Sequence, residues 1–300
     1  MTTALLSVVF IYGLFYGRLP LPVNISLSVS LAAFLYINNR HKHMDFISID
    51  VVAQFSKLRF VNATLKIATL FILTILGVVS RQPLTGAYLM LVMLVLAVFV
   101  GGMKLHEYVQ ILALPLSFLL VGGLALLFEL QAEPTGLINV YAFGVWLTVS
   151  AEAQANTLLV VSRALGALSC LLLIGMSTPM SDIINTLRRM HLPELIIDLM
   201  YLIYRYIFIL LALHHEMFDA AKSRLGMSDY RSSLRTTSYI YANLLARSHQ
   251  LASTNYDAME SRCFDSGIRF LVQKRSISWV QRCLSLGLIA TTGMLALIPI

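Results

Sequence analysis

Two arginines, Arg224 and Arg262, end two polar, basic segments of a chain that is otherwise strongly apolar. In each cluster an alanine stands shortly before the arginine: Asp219-Ala220-Ala221-Lys222-Ser223-Arg224-Leu225-Gly226 in the first, and Asp257-Ala258-Met259-Glu260-Ser261-Arg262-Cys263 in the second. A guanidinium group forms bidentate, charge-assisted hydrogen bonds with carboxylates and tolerates partial burial better than an ammonium group. The repeated pattern predicts two helix ends that are presented to a partner in the water phase.

Each arginine also has a simpler interpretation, in which it stabilises only its own helix. A cation near a helix C-terminus complements the helix dipole and contributes roughly 0.3 to 1 kcal/mol. For either arginine alone this interpretation stays open. The arrangement of motifs along the whole chain is what favours contact with a partner.

The composition indicates a membrane protein. Of 300 residues, 58% are hydrophobic and only 12% are charged, and the mean hydropathy is +0.78, whereas soluble domains carry about 25% charged residues. Unbroken apolar runs such as 88–100 and 111–127 are typical of membrane helices and differ from the alternating segments of β-barrels. The three cysteines lack the spacing of a disulfide framework or metal site. The fold class is therefore predicted to be all-α and polytopic.

Apolar runs bounded by turn signals predict six to seven membrane helices. The first two runs are short for a crossing of ~20 residues. Because Pro20 and Pro22 separate them, a tight hairpin fits better than one kinked span, although either one or two segments are compatible with the sequence. The last run can begin near Trp279, whose ring suits the membrane interface. The predicted spans are 4–17, 24–38, 64–80, 84–101, 109–130, 157–176 and 283–300.

The distribution of lysine and arginine predicts the orientation of the chain. Basic residues concentrate in 40–66, in the loop containing Lys104 and in 188–282, which the positive-inside rule places in the cytoplasm. The connection 131–156 has no lysine or arginine and is expected outside. The predicted domains are an N-terminal apolar hairpin with a cytoplasmic segment, a transmembrane bundle, a cytoplasmic helical module and a C-terminal transmembrane helix, at 1–63, 64–180, 181–282 and 283–300.

Two long helices are expected within the cytoplasmic module. The first runs from Pro193 to about Ser223, and its apolar first half indicates that it leaves the bilayer partway along its length. The second has apolar residues at three- and four-residue spacing up to Met259, so one of its faces is apolar and the other polar. A shorter helix, capped by Ser181 or Asp182, precedes them.

Catalysis and metal binding are not expected from the sequence. There is no Asp-Asp pair, His-Glu-x-x-His motif or Ser-Lys arrangement, and no glycine-rich loop for phosphates. Two histidine pairs, His41 with His43 and His214 with His215, offer nitrogen ligands. Adjacent histidines on a helix point about 100° apart, so the second pair does not face a single ion. No cofactor is expected, and nucleic-acid binding does not suit a helical module between membrane spans.

Further motifs occur in an order that is specific to one family of transporter subunits. With the two arginine clusters they make the chain resemble, over about residues 48–282, the transmembrane T component of energy-coupling-factor (ECF) transporters, the EcfT or CbiQ family, most closely its cobalt and nickel type. The motifs are Ile49-Asp50, Ser56-Lys57-Leu58-Arg59, Asn62, Lys66, Arg163, Thr178-Pro179, Leu187-Arg188, Leu192-Pro193 and Tyr204-Arg205-Tyr206-Ile207-Phe208.

The resemblance implies a non-catalytic scaffold of an ATP-driven importer in the prokaryotic cell membrane. Two ABC ATPase subunits would bind the helix ends, and a separate substrate-binding S component or metal-specific membrane subunit would capture cobalt or nickel. A vitamin-type importer, and less favourably a stand-alone carrier, are the alternatives; a stand-alone carrier should show internal repeats and charges at mid-membrane. The implied ATPase-coupling residues are Ala221, Arg224, Gly226, Ala258, Met259, Glu260 and Arg262.

The chain departs from the family pattern at the residue after each arginine. Leu225 and Cys263 stand where the family commonly has glycine. A close approach of the backbone to a partner is therefore expected to be less favourable at both helix ends. The apolar segment before Arg40 is also outside the family pattern.

Overall fold

A computed structural model describes residues 2–16, 24–25, 28–29, 53–54, 56–131, 138–142, 145–263 and 277–297. The chain divides into two compact units. The first consists of Met1–Pro179 and Arg275–Ile300, and the second is Met180–Lys274. Most of the predicted span 24–38, together with His41 and His43, lies outside the described residues.

The described residues of both units are predominantly helical, which confirms the predicted all-α class. The helices of the first unit lie within a few residues of the predicted spans, except that α5 (Ala151–Ser177) begins six residues earlier than the span predicted from residue 157. In the second unit, α6 (Met180–Arg189) already begins at Met180, so Ser181 and Asp182 lie in its first turn and are not its N-cap. The first unit contains α1 (Thr2–Phe15), a 3-10 turn (Lys57–Phe60), α2 (Ala63–Val79), α3 (Pro83–Val95) continued by a π-helical turn (Leu96–Val100), α4 (Leu105–Leu127), β1 (Glu129–Gln131), β2 (Ile138–Ala142), β3 (Val145–Val149), α5 (Ala151–Ser177) and α9 (Trp279–Leu297), and the second contains α6 (Met180–Arg189), α7 (Glu194–Ser223) and α8 (Tyr230–Glu260).

Among the described residues, four helices are long and apolar enough to cross a membrane. They are α3 with its π-helical turn, α5, α7 and α9, and α4 becomes a fifth if its two halves, bent by 44° at Pro115, form one span. The helix α2 is apolar but has only 17 residues. The count of six to seven therefore stays a prediction, as does the assignment of α7 to a cytoplasmic module.

A small antiparallel sheet joins α4 to α5, where the sequence predicted only an outer connection. Its strand order is β1-β3-β2, with Glu129 opposite Thr148. The Ser150 hydroxyl donates to Glu129 Oε2 (3.2 Å) and accepts from the backbone N–H of Ala153 (3.0 Å). The same serine thus caps α5 and fixes its start to the sheet.

The helix α5 packs closely against α3 because small residues line their crossing. A Cβ added to Gly166 would lie 3.0 Å from the Cα of Gly86, and one added to Gly86 would overlap the backbone carbonyl of Ser162. The Ser162 hydroxyl also donates to the carbonyl oxygen of Pro83. Close backbone approach through small residues is a common basis of helix association in membranes. Lipid is as apolar as the helices themselves, so the hydrophobic effect does not drive the helices together there.

Two cations join α2 to α5 reciprocally. Lys66, in the first turn of α2 and only 7% exposed, donates from Nζ to the carbonyl oxygens of Ser177 (2.8 Å) and Leu58 (3.1 Å). Arg163 of α5 donates from Nε to the carbonyl oxygen of Ser80 (2.6 Å), the C-cap of α2. Each helix therefore supplies a cation to the C-terminal end of the other, where the carbonyl dipoles favour positive charge.

The opposite end of α5 holds the C-terminus of α1. Gln154, which is 1% exposed, donates from Nε2 to the carbonyl oxygens of Gly13 (2.9 Å) and Tyr16 (3.1 Å). The helix α5 is therefore fastened to its neighbours at both ends and in the middle, and it organises the first unit.

The basic loops near Lys57 and Lys104 lie at the same end of the first unit. The backbone N–H of Lys57 donates to the carbonyl oxygen of Gly101 (3.1 Å), and the Ser56 hydroxyl donates to the same oxygen (3.4 Å). This geometry agrees with the predicted grouping of these loops on one side of the membrane.

We expect Lys66→Met to destabilise the protein by about 2 kcal/mol, because the buried Ser177 and Leu58 carbonyls lose a charged donor. The measurement is the midpoint of thermal unfolding in detergent. The matched control is Lys57→Met, which removes an exposed ammonium group and keeps the Lys57 backbone hydrogen bond. Equal midpoints for the two variants would show that the Lys66 contacts contribute nothing.

We expect Gly166→Leu to disrupt the packing of α3 on α5 by overpacking, at a cost of roughly 1 to 3 kcal/mol. The readout is the fraction of detergent-extracted protein that elutes as a single species in size-exclusion chromatography. Gly175→Leu is the control in the same helix, since a Cβ there meets no atom within 4 Å. A normal elution profile for the Gly166 variant would contradict the close crossing.

Candidate functional site: two arginine-ended helices

The helices α7 and α8 pack antiparallel, so later residues of one contact earlier residues of the other. The ring of His214 in α7 lies 5.7 Å from that of Tyr241 in α8. Further along, residues of both helices line a cavity of about 190 Å³: Tyr206, Leu210, Ser248, Leu251 and Ala252. The chain therefore turns back immediately after Arg224, and α8 carries it away from that point.

The two arginines lie far apart, at opposite ends of α8. Arg224 is in the turn that precedes α8, and Arg262 follows its last residue. Since α8 has 31 residues and an α-helix rises 1.5 Å per residue, the separation is about 46 Å. We call residues 221–226 the first tip and residues 258–263 the second tip.

The first tip closes α7 with a left-handed residue. The backbone N–H of Gly226 donates to the carbonyl oxygen of Ala221 (2.9 Å), and that of Leu225 donates to the carbonyl oxygen of Lys222 (3.1 Å). Leu225 has a φ of 57°. This pair of hydrogen bonds around a left-handed residue is the Schellman motif, which satisfies carbonyls that the helix leaves unpaired.

The second tip also contains a left-handed residue just after its helix. The backbone N–H of Cys263 donates to the carbonyl oxygen of Glu260 (2.9 Å), and Cys263 has a φ of 55°. Leu225 and Cys263 thus adopt the left-handed backbone that glycine adopts without strain. The expectation that a partner approaches the backbone less closely at these two residues stays a prediction, and each left-handed residue adds about 1 kcal/mol of strain.

Gly226 fastens the first tip to the start of α8. Its carbonyl oxygen accepts hydrogen bonds from the hydroxyls of Ser232 (3.1 Å) and Thr236 (3.0 Å). A Cβ on Gly226 would lie 3.0 Å from both the Ala221 carbonyl oxygen and Thr236 Oγ1, a tight contact that requires these neighbours to shift. Neither hydroxyl was predicted from the sequence; their spacing of one helical turn was the available signal.

Both tip arginines are exposed to solvent. Within the described part of the chain, no hydrogen bond or ion pair engages either guanidinium group. Arg188, in contrast, joins α6 to α7 through Asp198 at 3.4 Å. The hydrogen bond from Arg235 to the Tyr239 hydroxyl (3.5 Å) raises the pKa of Arg235. The tip guanidinium groups are therefore accessible to another molecule.

The alanines of the two tips are not equivalent. Ala221 stands three residues before Arg224, whereas Ala258 stands four residues before Arg262, so Met259 occupies the position that corresponds to Ala221. Ala258 and Glu260 are exposed, and Met259 is half-buried. The two tips share the arginine and the left-handed turn, but they present different neighbouring side chains.

The histidines of α7 pack against aromatic rings. His214 stacks on Phe218 with ring centroids 6.1 Å apart, and the rings of His214 and His215 lie at 73° to each other. In the described residues there is no group of three or more His, Cys, Asp or Glu side chains arranged to hold a metal ion.

Comparison with known proteins identifies the family. Residues 54–271 match the CbiQ family, described as cobalt transport protein. The chain is 31% identical to the cobalt transport protein CbiQ of Rhodobacter capsulatus over 71% of this chain and 81% of that protein. It is 30% identical to a putative fused cobalt transport protein, CbiMQ, of Methanocorpusculum labreanum, over 75% of this chain and 38% of that protein. An uncharacterised protein of Methanocaldococcus jannaschii is 29% identical over 77% of this chain and 87% of that protein. This multi-pass membrane protein therefore belongs to the CbiQ family of cobalt transport proteins.

Proposed function

We propose that the chain is the transmembrane scaffold of an ECF-type ABC importer. In this role it links two ATPase subunits to a separate substrate-binding membrane subunit. The observation that carries the proposal is the pair of accessible arginines, each beside a left-handed turn and separated by about the length of α8, ~46 Å.

The separation of the tips favours two docking sites over one. A single groove does not reach both arginines across about 46 Å, whereas two ATPase subunits offer one groove each. Each guanidinium group would bind a carboxylate in its groove through paired, charge-assisted hydrogen bonds. Because each arginine adjoins a hydrogen-bonded turn, little backbone entropy is lost when it docks, and the main entropic cost is the ordering of the arginine side chain.

The packing of α7 on α8 offers a route for energy transfer. ATP-driven closure of the ATPase pair would move the two tips relative to each other. The first tip is held to α8 by the Gly226 hydrogen bonds with Ser232 and Thr236. Its displacement would therefore change the crossing of the two helices around His214 and Tyr241. The apolar first half of α7 would pass that change to the substrate-binding subunit.

The proposal assigns no catalytic step and no cofactor to this chain. ATP hydrolysis would occur in the partner subunits, since the sequence has no phosphate-binding loop. The positive-inside distribution of lysine and arginine supports a cytoplasmic position for both tips in a prokaryotic cell. The name of the fused Methanocorpusculum relative supports the presence of a further transport subunit beside this one.

Cobalt or nickel is the proposed cargo, by analogy with the relatives named for cobalt transport. A vitamin-type ECF importer is the alternative and would use the same tips with a different substrate-binding subunit. A stand-alone carrier is less favoured. Such a carrier should have charged residues at mid-membrane that serve its substrate. Arg163, a charged residue within the candidate span α5, instead donates to the end of α2. Co-purification of an ATPase pair would distinguish an importer subunit from a solitary carrier.

We expect Arg224→Glu and Arg262→Glu together to abolish recovery of the ATPase with the affinity-tagged chain. Glutamate would face the carboxylates of the docking grooves, and like charges in contact are strongly unfavourable. Membrane insertion should remain unchanged, and the thermal midpoint of the isolated chain should fall only slightly, because both side chains are exposed and the dipole complementation lost at each tip is about 0.3 to 1 kcal/mol. The control is Arg247→Glu, a charge reversal at an exposed residue in the middle of α8.

Recovery of a normal complex from the double variant would refute the docking role of the tips. Equal loss of the complex in the Arg247 variant would indicate a general effect of charge on the basic surface and would equally contradict specific docking.

We also expect the purified chain alone to show no saturable binding of Co²⁺, because ion capture is assigned to another subunit. Isothermal titration in detergent provides the measurement, with His214→Ala/His215→Ala as the comparison. Saturable binding by the native chain that disappears in this variant would move ion capture to α7 and contradict the division of roles.

A further inference from the structure

Leu225 combines two unfavourable properties at the first tip. Its side chain is 75% exposed, although it is a large apolar group. Its φ of 57° lies in the left-handed region, which residues with a Cβ seldom adopt. Glycine would avoid both the backbone strain and the exposed apolar surface.

Contacts within the described chain give no reason for a leucine at this position. Its hydrogen bonds use only the backbone: the N–H donates to Lys222 and the carbonyl oxygen accepts from the N–H of Ser228 (3.2 Å). Glycine would form the same two bonds. The hydroxyls of Ser232 and Thr236, which fix this turn, donate to the carbonyl oxygen of Gly226 and not to Leu225. The leucine side chain therefore stands on a rigid turn without contributing to it.

Arg224, the residue immediately before Leu225, indicates what the leucine side chain contacts. Arg224 is exposed and has no partner among the described residues. A surface that binds the guanidinium group therefore comes within reach of the leucine, because the hydrogen-bonded turn holds both residues. Interface anchors commonly pair an arginine with an apolar group in a desolvated pocket.

We infer that Leu225 is an apolar anchor that inserts beside the acidic groove of the ATPase that binds Arg224. This inference rests on the proposed function and adds to it a chemical difference between the two docking sites. The first tip presents arginine with leucine, and the second presents arginine with the smaller Cys263. The ATPase groove at the first tip therefore includes an apolar depression, and a leucine side chain there contributes affinity that Cys263 does not match.

The test separates the side chain from the backbone conformation with two variants, Leu225→Gly and Leu225→Asn. Both residues adopt left-handed backbone readily, so the thermal midpoint of the isolated chain should be unchanged or higher. Affinity for the ATPase should fall by about tenfold, since a buried leucine contact is lost. Leu225→Met, which keeps the apolar contact, should bind within about threefold of the native chain.

The probe is the purified ABC-class ATPase of the same organism that binds the native chain, titrated against detergent-solubilised chain. The strain control is His191→Gly, because His191 has a φ of 60° and ends α6, which precedes the start of α7 and so lies at the opposite end of that helix from the first tip. It should relieve the same kind of strain and leave ATPase affinity unchanged.

Unchanged or tighter binding by the Gly and Asn variants would overturn the anchor. The proposed function would still stand in that case if Arg224→Glu abolished binding. If the native chain bound no ABC-class ATPase of its organism, both the proposed function and the anchor would fail. A tenfold loss in the Met variant as well would also overturn an apolar contact, because the apolar group remains.

Discussion

The last carbonyls of an α-helix have no partner within the helix, and the way in which this chain satisfies them accounts for much of its structure. In the first unit the donors are side chains of other helices: Lys66 serves the end of α5, Arg163 the end of α2 and Gln154 the end of α1. The residues that carry these carbonyls, Ser177, Ser80 and Gly13, are buried, so water does not serve them. Because each donor belongs to another helix, the same hydrogen bonds satisfy the helix-end carbonyls and determine which helices of the first unit lie side by side.

In the second unit, backbone groups next to each helix end satisfy its last carbonyls. The side chains at these ends are therefore available for contact with partners. His191, Leu225 and Cys263 are the only non-glycine residues of the described chain with positive φ, and each closes the end of α6, α7 or α8. Because the backbone completes these turns, no arginine is needed to cap the first or second tip. Arg224 and Arg262 project from rigid ends with unused hydrogen-bonding groups. Exposed guanidinium groups on a preorganised backbone suit transient or ATP-dependent docking.

Local sequence signals predicted the helices and their ends well, and contacts between distant segments much less well. The helix predicted from Pro193 to about Ser223 is α7, and the predicted start near Trp279 is that of α9. The partner of Lys66 in α5, Ser177, and the partner of Arg163 at the end of α2, Ser80, lie 111 and 83 residues away, so no local pattern indicates them. Short strands of three to five residues gave too weak a signal to predict the sheet. The left-handed turns at Leu225 and Cys263 were missed because the helix-ending hydrogen bonds override residue preference.

The account as a whole depends on one chain engaging two ATPase subunits through its separate tips. Native mass spectrometry of the detergent-solubilised complex, isolated through a tag on this chain, measures that stoichiometry directly. The account predicts two ATPase subunits per copy of the chain. A complex with a single ATPase subunit, or one containing two copies of the chain that share one ATPase pair, would contradict it.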